Sequence, residues 1–146
     1  MEPPPTSPAQ TTTLDAVLGF EVLETGAQHA SGRFAVADAV LQPFGIVHGG
    51  AYAAFAETLA SMATYRQVEA GGEIAVGQSN LTSFMRPVSQ GTVHAEARCR
   101  HRGRTSWVWE IDFTDDRGRL SATSRVTMAI RPAPGAPAGA PRPAVS

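Results

Sequence analysis

Apolar and polar residues alternate with a period of two through most of the second half of the chain. Val93, Ala95, Ala97 and Cys99 fall on one side of a run whose other side is His94, Glu96, Arg98 and Arg100. Trp107, Trp109, Ile111 and Phe113 then alternate with Val108, Glu110, Asp112 and Thr114, and a third run repeats the pattern at Leu120, Ala122, Ser124, Val126, Met128 and Ile130. Strands with one buried and one solvated face have this period. Asp115-Asp116-Arg117-Gly118 reads as the turn that makes a hairpin of the last two runs. Earlier strands are expected over 20–25, 30–39 and 75–85, the first two separated by a turn at Gly26.

The stretch after Pro43 has a different character. Residues 51–65 are dominated by Ala, Leu, Phe, Met and Tyr, and Gly71-Gly72 closes the segment, so one long helix is predicted over about 48–69. A short helical turn is predicted at 14–18, with Thr13 as its N-cap and Gly19 as its stop. The sum is an α+β domain, an antiparallel sheet of about six strands around one long helix. A sheet with one apolar face needs a cover, and wrapping it round the helix supplies one.

Nine of the 11 prolines lie in 1–13 and 132–146. Segments so rich in proline, alanine and glycine bury too little apolar surface to offset their chain entropy. The chain is therefore read as a disordered tail over 1–13, one domain over 14–131 and a second disordered tail over 132–146; a proline-rich ligand for a partner domain is the other reading of such ends.

Length and charge narrow the function. A chain of 146 residues accommodates one domain with a real core. Its net charge of −1 and pI near 6.4 exert no overall pull toward nucleic acid or an anionic membrane, so neither is expected as a partner. The single cysteine, Cys99, excludes an intrachain disulfide framework and a cysteine metal cluster, and alternation places it as a core thiol. With no apolar run of about 18 residues and no leader-like start, the reading is a cytoplasmic protein.

Chemistry concentrates where Gln42-Pro43-Phe44-Gly45-Ile46-Val47-His48-Gly49-Gly50 runs into the helix, because 51–65 carries one carboxylate, Glu57. A charge on so apolar a helix is costly to bury unless it is paired or used. At about 100° per residue, Gly50, Glu57 and Ser61 share one stripe. The helix start presents free N–H groups at the positive end of the dipole, and Gly49 and Gly50 allow close approach, an arrangement suited to a carbonyl oxygen that gains charge under attack. From Gly50 to Glu57 is about 10 Å along the axis, so Glu57 cannot easily reach a carbonyl held at its own helix start.

These residues carry a family resemblance. Gly45-Ile46-Val47-His48-Gly49-Gly50-Ala51-Tyr52, Ala56-Glu57, Ala75-Val76-Gly77-Gln78-Ser79-Asn80, Arg86-Pro87-Val88 and Thr105-Ser106-Trp107 resemble the hotdog-fold acyl-CoA thioesterases of the PaaI-like superfamily, in particular the glutamate-type 4-hydroxybenzoyl-CoA thioesterases. The resemblance implies hydrolysis of an aromatic acyl-CoA with no cofactor and no metal. It implies a homodimer in which Gly49 of one chain faces Glu57 of the other, within a dimer-of-dimers homotetramer. It places the Gly49 N–H as carbonyl polariser, Glu57 as nucleophile or general base, Ser61 beside it where relatives carry threonine, and Gln42 as a positioning group.

At the nucleotide the resemblance points to Arg104 and Thr105, with an arginine where a serine is expected. Arg100, His101, Arg102 and Arg104 form a basic run suited to a phosphate, or simply a solvated strand edge. His48 is open between ligand, base and helix cap. Phe44, Tyr52, Phe55, Met62 and Met85 are candidates to line an acyl slot, and core packing selects the same types. A hotdog dehydratase or hydratase, which would need a histidine before the turn, and a non-catalytic acyl-CoA-binding protein are the alternatives.

Overall fold

The computed structural model describes residues 13–135. A short helix α1 (Leu14–Leu18) precedes strands β1 (Glu21–Thr25) and β2 (His29–Ala35), the long helix α2 (Gly49–Val68), and strands β3 (Glu73–Phe84), β4 (Thr92–Arg102), β5 (Ser106–Thr114) and β6 (Leu120–Pro132). The strands form one sheet in the order β1-β2-β4-β5-β6-β3, and every neighbouring pair is antiparallel. The sheet wraps α2, as the alternation requires.

The core is the inner face of that wrap. Phe55, Leu59, Ala60 and Ala63 of α2 are fully buried against Phe34, Trp109, Ile111, Phe113 and Val126. Aromatic rings meet edge to face, Phe34 on Phe55 at 5.6 Å and Tyr52 on Phe113 at 5.2 Å, the arrangement their quadrupoles favour. Alanines at 51, 56, 60 and 63 let the strands approach α2 closely. A buried polar contact ties helix to sheet, where Trp109 Nε1 donates to Thr64 Oγ1 at 2.9 Å. The outer face carries exposed pairs such as Arg33 with Glu21 and Arg98 with Asp112, each worth about 0–1 kcal/mol, so packing holds the fold.

The expected caps and turns are present. Thr13 Oγ1 accepts from the Ala16 amide, Gly19 closes α1 in the left-handed region, and the 115–118 turn closes on an Asp115 N–H to Arg119 carbonyl bond. Asp115 also accepts from the Arg117 and Arg119 amides and from the Arg119 side chain, which hold its carboxyl below the usual range.

Several boundaries differ from expectation for identifiable reasons. The strand expected over 30–39 stops at Ala35, because continued alternation from Ala30, Gly32 and Phe34 would aim Asp38 into the core; the chain turns instead through a single 3-10 turn, Asp38–Val40, and buries Val40. Leu120 is 41% exposed, not inward, because pairing slips beside it: Thr114 faces Leu120 while Phe113 faces Ala122, which turns Ser121 into the core. The tails expected over 1–13 and 132–146 lie almost wholly outside the described residues. Where they are described, Pro132 ends β6 and the Ala133 amide donates to the Gly72 carbonyl, so the ordered domain reaches past residue 131.

Thr64→Val keeps the shape of the side chain and strands the Trp109 N–H in the core. A loss of about 1–3 kcal/mol in urea unfolding is expected; an unchanged midpoint would show that the bond contributes nothing.

Candidate active site

At the N-terminus of α2 the amides are allocated one by one. His48 is the cap: its Nδ1 accepts from the Gly50 amide at 2.8 Å, its carbonyl accepts from Ala51, and its own N–H donates to Val40. That leaves Gly49 as the helix-opening amide without an acceptor among the described residues. Of the readings open for His48, the structure displays the cap, with Nδ1 as the accepting atom.

Gly49 opens into a cleft of about 460 Å³ that is also lined by Gln42, Tyr52, Phe84, Met85 and Ser121. Phe84 is 58% exposed and points the tip of its ring at Gly49, where an added Cβ would sit 2.7 Å from the ring. Gln42 Oε1 accepts from the Phe44 amide, which fixes the turn before the cleft. Tyr52 is 3% exposed and its hydroxyl has no hydrogen-bond partner among the described residues; burial raises its pKa. Ser121 spends its proton on the Phe113 carbonyl at 3.1 Å.

Glu57 belongs to a different cleft, of about 390 Å³, shared with Leu14, Asp15, Thr58, Ser61 and Met62. Its side chain is exposed and lies against β3, with Oε1 over the α-carbon of Gly77. Ser61 Oγ is the neighbouring hydroxyl and makes only a weak contact to Met128 Sδ at 3.8 Å. Asp15 of α1 accepts from Thr58 Oγ1 at 2.7 Å and so pins α1 across α2 as one wall of the cleft.

The structure thus gathers Gln42, Gly49 and Tyr52 on one cleft, and Glu57 and Ser61 on another. Phe44 is 90% exposed and lines neither, and Gly50 has given its amide to His48. Of the other slot candidates, Met62 lines the Glu57 cleft, Met85 the Gly49 cleft, and Phe55 is core. Arg102, Arg104 and Thr105 sit at the β4–β5 hairpin tip, away from both clefts. There the Arg102 guanidinium stacks on Trp107 at 4.6 Å with its Nε buried and without a partner among the described residues, while the Thr105 carbonyl accepts from Ile130. Among the described residues no cluster of His, Cys, Asp and Glu could hold a metal ion, and no helix is long and apolar enough to cross a membrane.

Sequence reasoning passed over Asp15, Thr58 and Ser121. Asp15 reads as an ordinary first-turn acid, and only the fold brings it to α2. Ser121 enters through a pairing slip that no local pattern announces.

Chemically, one cleft offers a hydrogen-bond donor at a helix N-terminus, where negative charge is stabilised, and the other a carboxylate with a hydroxyl beside it. Such a pair suits attack on a carbonyl, provided both reach the same carbon.

Comparison with known proteins points the same way. A profile of the thioesterase superfamily matches residues 44–122, which include Gly49 and Glu57. The proofreading thioesterase EntH of Cronobacter turicensis is 42% identical over 118 residues, covering 81% of this chain and 85% of its own. Thioesterase PA1618 of Pseudomonas aeruginosa, solved as a glutamine-to-alanine variant, superposes with a TM-score of 0.80 at 34% identity, covering 84% of this chain and 88% of that one. Thioesterase HI1161 of Haemophilus influenzae superposes with a TM-score of 0.78 at 32% identity, covering 84% and 85%.

Tyr52→Phe removes a buried hydroxyl that has no partner among the described residues. Stability is expected to rise by about 1–3 kcal/mol in chemical denaturation; a fall would mean that the hydroxyl is bonded in solution.

Proposed function

The chain belongs to the thioesterase superfamily and is a thioester hydrolase, and from that premise we propose that it cleaves aromatic acyl-CoA thioesters at a site completed by two copies of the chain. The observation that carries this reading is the separation of the two halves. Gly49, with its amide unaccepted, and Glu57, with its carboxylate exposed, open into different clefts of one chain. A thioester resting on the Gly49 N–H of one copy is attacked by Glu57 of the other.

The β3 edge supports such a pairing. β3 is a 12-residue strand at the end of the sheet, its outer edge unpaired among the described residues, with Leu81 71% exposed. Long bare edges are templates for pairing, and a second β3 antiparallel to the first gives a closed two-fold dimer. Glu57 lies against this same strand, so its cleft adjoins the proposed interface.

In the reaction, the thioester oxygen takes the Gly49 hydrogen bond as the carbonyl carbon becomes tetrahedral. Glu57 either bonds that carbon itself, expelling the CoA thiolate and leaving a mixed anhydride that water opens, or takes a proton from the water that bonds it. Both routes give the free acid and CoA. Ser61 serves the attacking carboxylate or water, and Gln42 orients the thioester at the Gly49 cleft. The wall of Leu14, Ala54 and Met62, edged by Asp15 and Thr58, suits a flat ring bearing a polar substituent such as 4-hydroxybenzoyl. Arg102, Arg104 and Thr105 at the hairpin tip suit the nucleotide phosphates.

Thiol release should be measured over benzoyl-, 4-hydroxybenzoyl-, phenylacetyl- and straight-chain acyl-CoA. Aryl thioesters are expected to turn over fastest, and Glu57→Ala to lose about 10³-fold or more in kcat with folding intact. Wild-type turnover by that variant would remove Glu57 from the chemistry, and a preference for straight chains would remove the aromatic assignment.

Gly49→Pro tests the shared site. Proline is tolerated at the first helical position and His48 already has the extended backbone it requires, so the change deletes the N–H and asks only that the tip of the exposed Phe84 ring swing away from the new Cβ. Each of Gly49→Pro and Glu57→Ala alone should be nearly inactive. Unfolded together and refolded, they should regain about a quarter of wild-type activity, since half of randomly paired dimers hold one intact site. No recovery above the separate variants would place both groups in one chain's site.

A further inference from the structure

β3 departs from regular pairing at one place, and that place lies against Glu57. Gly77 pairs with Met128 and Ser79 with Thr127, so Gln78 is an extra residue without an opposite number. Because side chains alternate, one inserted residue reverses which positions face inward. Before the bulge, Gly77 lies opposite the buried Met128; after it, Asn80 lies opposite the buried Val126. Without the bulge, Ser79 would face α2 and Asn80 would face away.

Both inward positions act on the turn of α2 that carries Glu57. A Cβ on Gly77 would stand 2.4 Å from Glu57 Oε1 and 3.0 Å from its carboxyl carbon, so the carboxylate occupies the space that a side chain would fill. Gly77 has no positive φ, so the backbone itself does not demand glycine. The demand comes from the carboxylate. Asn80 Nδ2 donates at 2.8 Å to the carbonyl of Ala53, the residue four before Glu57 and hence the helical acceptor of Glu57's own amide.

The amide of Asn80 is itself held. Thr82 Oγ1 donates to Asn80 Oδ1 at 2.8 Å and in turn accepts from the buried Ser124 Oγ of β6 at 2.8 Å. This relay leaves the NH₂ of Asn80 toward the helix. A chain of hydrogen bonds thus runs from β6, the strand beside β3, to the backbone beneath Glu57.

Resting on the reading of Glu57 as the attacking carboxylate, we propose that Gly77 and Asn80, brought to one face by the Gln78 bulge, are positioning residues that set where that carboxylate lies. Gly77 leaves the seat vacant and Asn80 fixes the helix turn at the right height above it. Neither needs to touch substrate. A displacement of about 1 Å at a reacting group costs about 10²-fold in rate, which is the scale on which these contacts act.

The test uses Gly77→Ala and Asn80→Ala in the full chain, with benzoyl-CoA as substrate and its non-hydrolysable thioether as binding probe. Gly77→Ala is expected to lower kcat about 10²-fold and Asn80→Ala about tenfold. Affinity for the thioether and the melting temperature should stay near wild type. Asn80→Asp, which keeps the shape but cannot donate to Ala53, should behave like Asn80→Ala. In a Glu57→Ala background the residual rate should not fall further with either change.

Kcat within twofold of wild type in either variant removes that residue from the role, provided Glu57→Ala is itself inactive. Losses of kcat, thioether affinity and melting temperature in parallel would reduce both residues to general packing and overturn the proposal. Should Gly77→Ala fail to fold, the Asn80 pair decides alone. An active Glu57→Ala variant would instead overturn the reading on which the proposal rests.

Discussion

One helix has to cover the apolar face of a six-stranded sheet, and most of what is distinctive about this protein follows from that demand. α2 is enclosed on so many sides that its surface is reduced to alanines and a few rings, and the strands close to within contact of its backbone. A helix so enclosed has few places for a charged side chain. Glu57 is tolerated because it emerges beside the edge strand β3, at a flank where the wrap ends.

The same enclosure isolates the helix start. With the Gly50 and Ala51 amides satisfied by His48, one donor stands out at Gly49 against an apolar wall that includes Phe84. In low-dielectric surroundings a single aimed N–H is worth far more than in water. A rigid cap therefore acts by subtraction, removing competing donors and leaving one at the mouth of the cleft.

The architecture was legible in the sequence because its cause is periodic. Trp107, Trp109, Ile111 and Phe113 announce an inner face, and Gly71-Gly72 marks where the long helix must end. The likeness of 45–57 to thioesterases named the chemistry. What stayed hidden depends on pairing between distant segments. The slips at Gln78 and Ser121 are decided by β6 opposite one and β5 opposite the other, and neither has a local signature. Asp15 is the clearest case: nothing near it in sequence connects it to Thr58, 43 residues on, yet that bond builds a wall of the Glu57 cleft. Phe44, whose size suggested a pocket residue, projects into solvent because the 42–45 turn is fixed by its own backbone and Gln42.

Both tryptophans of the chain lie on β5, two positions apart. The indole of Trp109 is locked to α2 through Thr64, whereas that of Trp107 is sheltered beneath the Arg102 guanidinium at the hairpin tip. Their rings stack at 6.4 Å, so the two indoles emit as one coupled pair whose intrinsic fluorescence senses whether helix and sheet remain docked. The molecule therefore carries its own optical gauge of integrity, with no label attached.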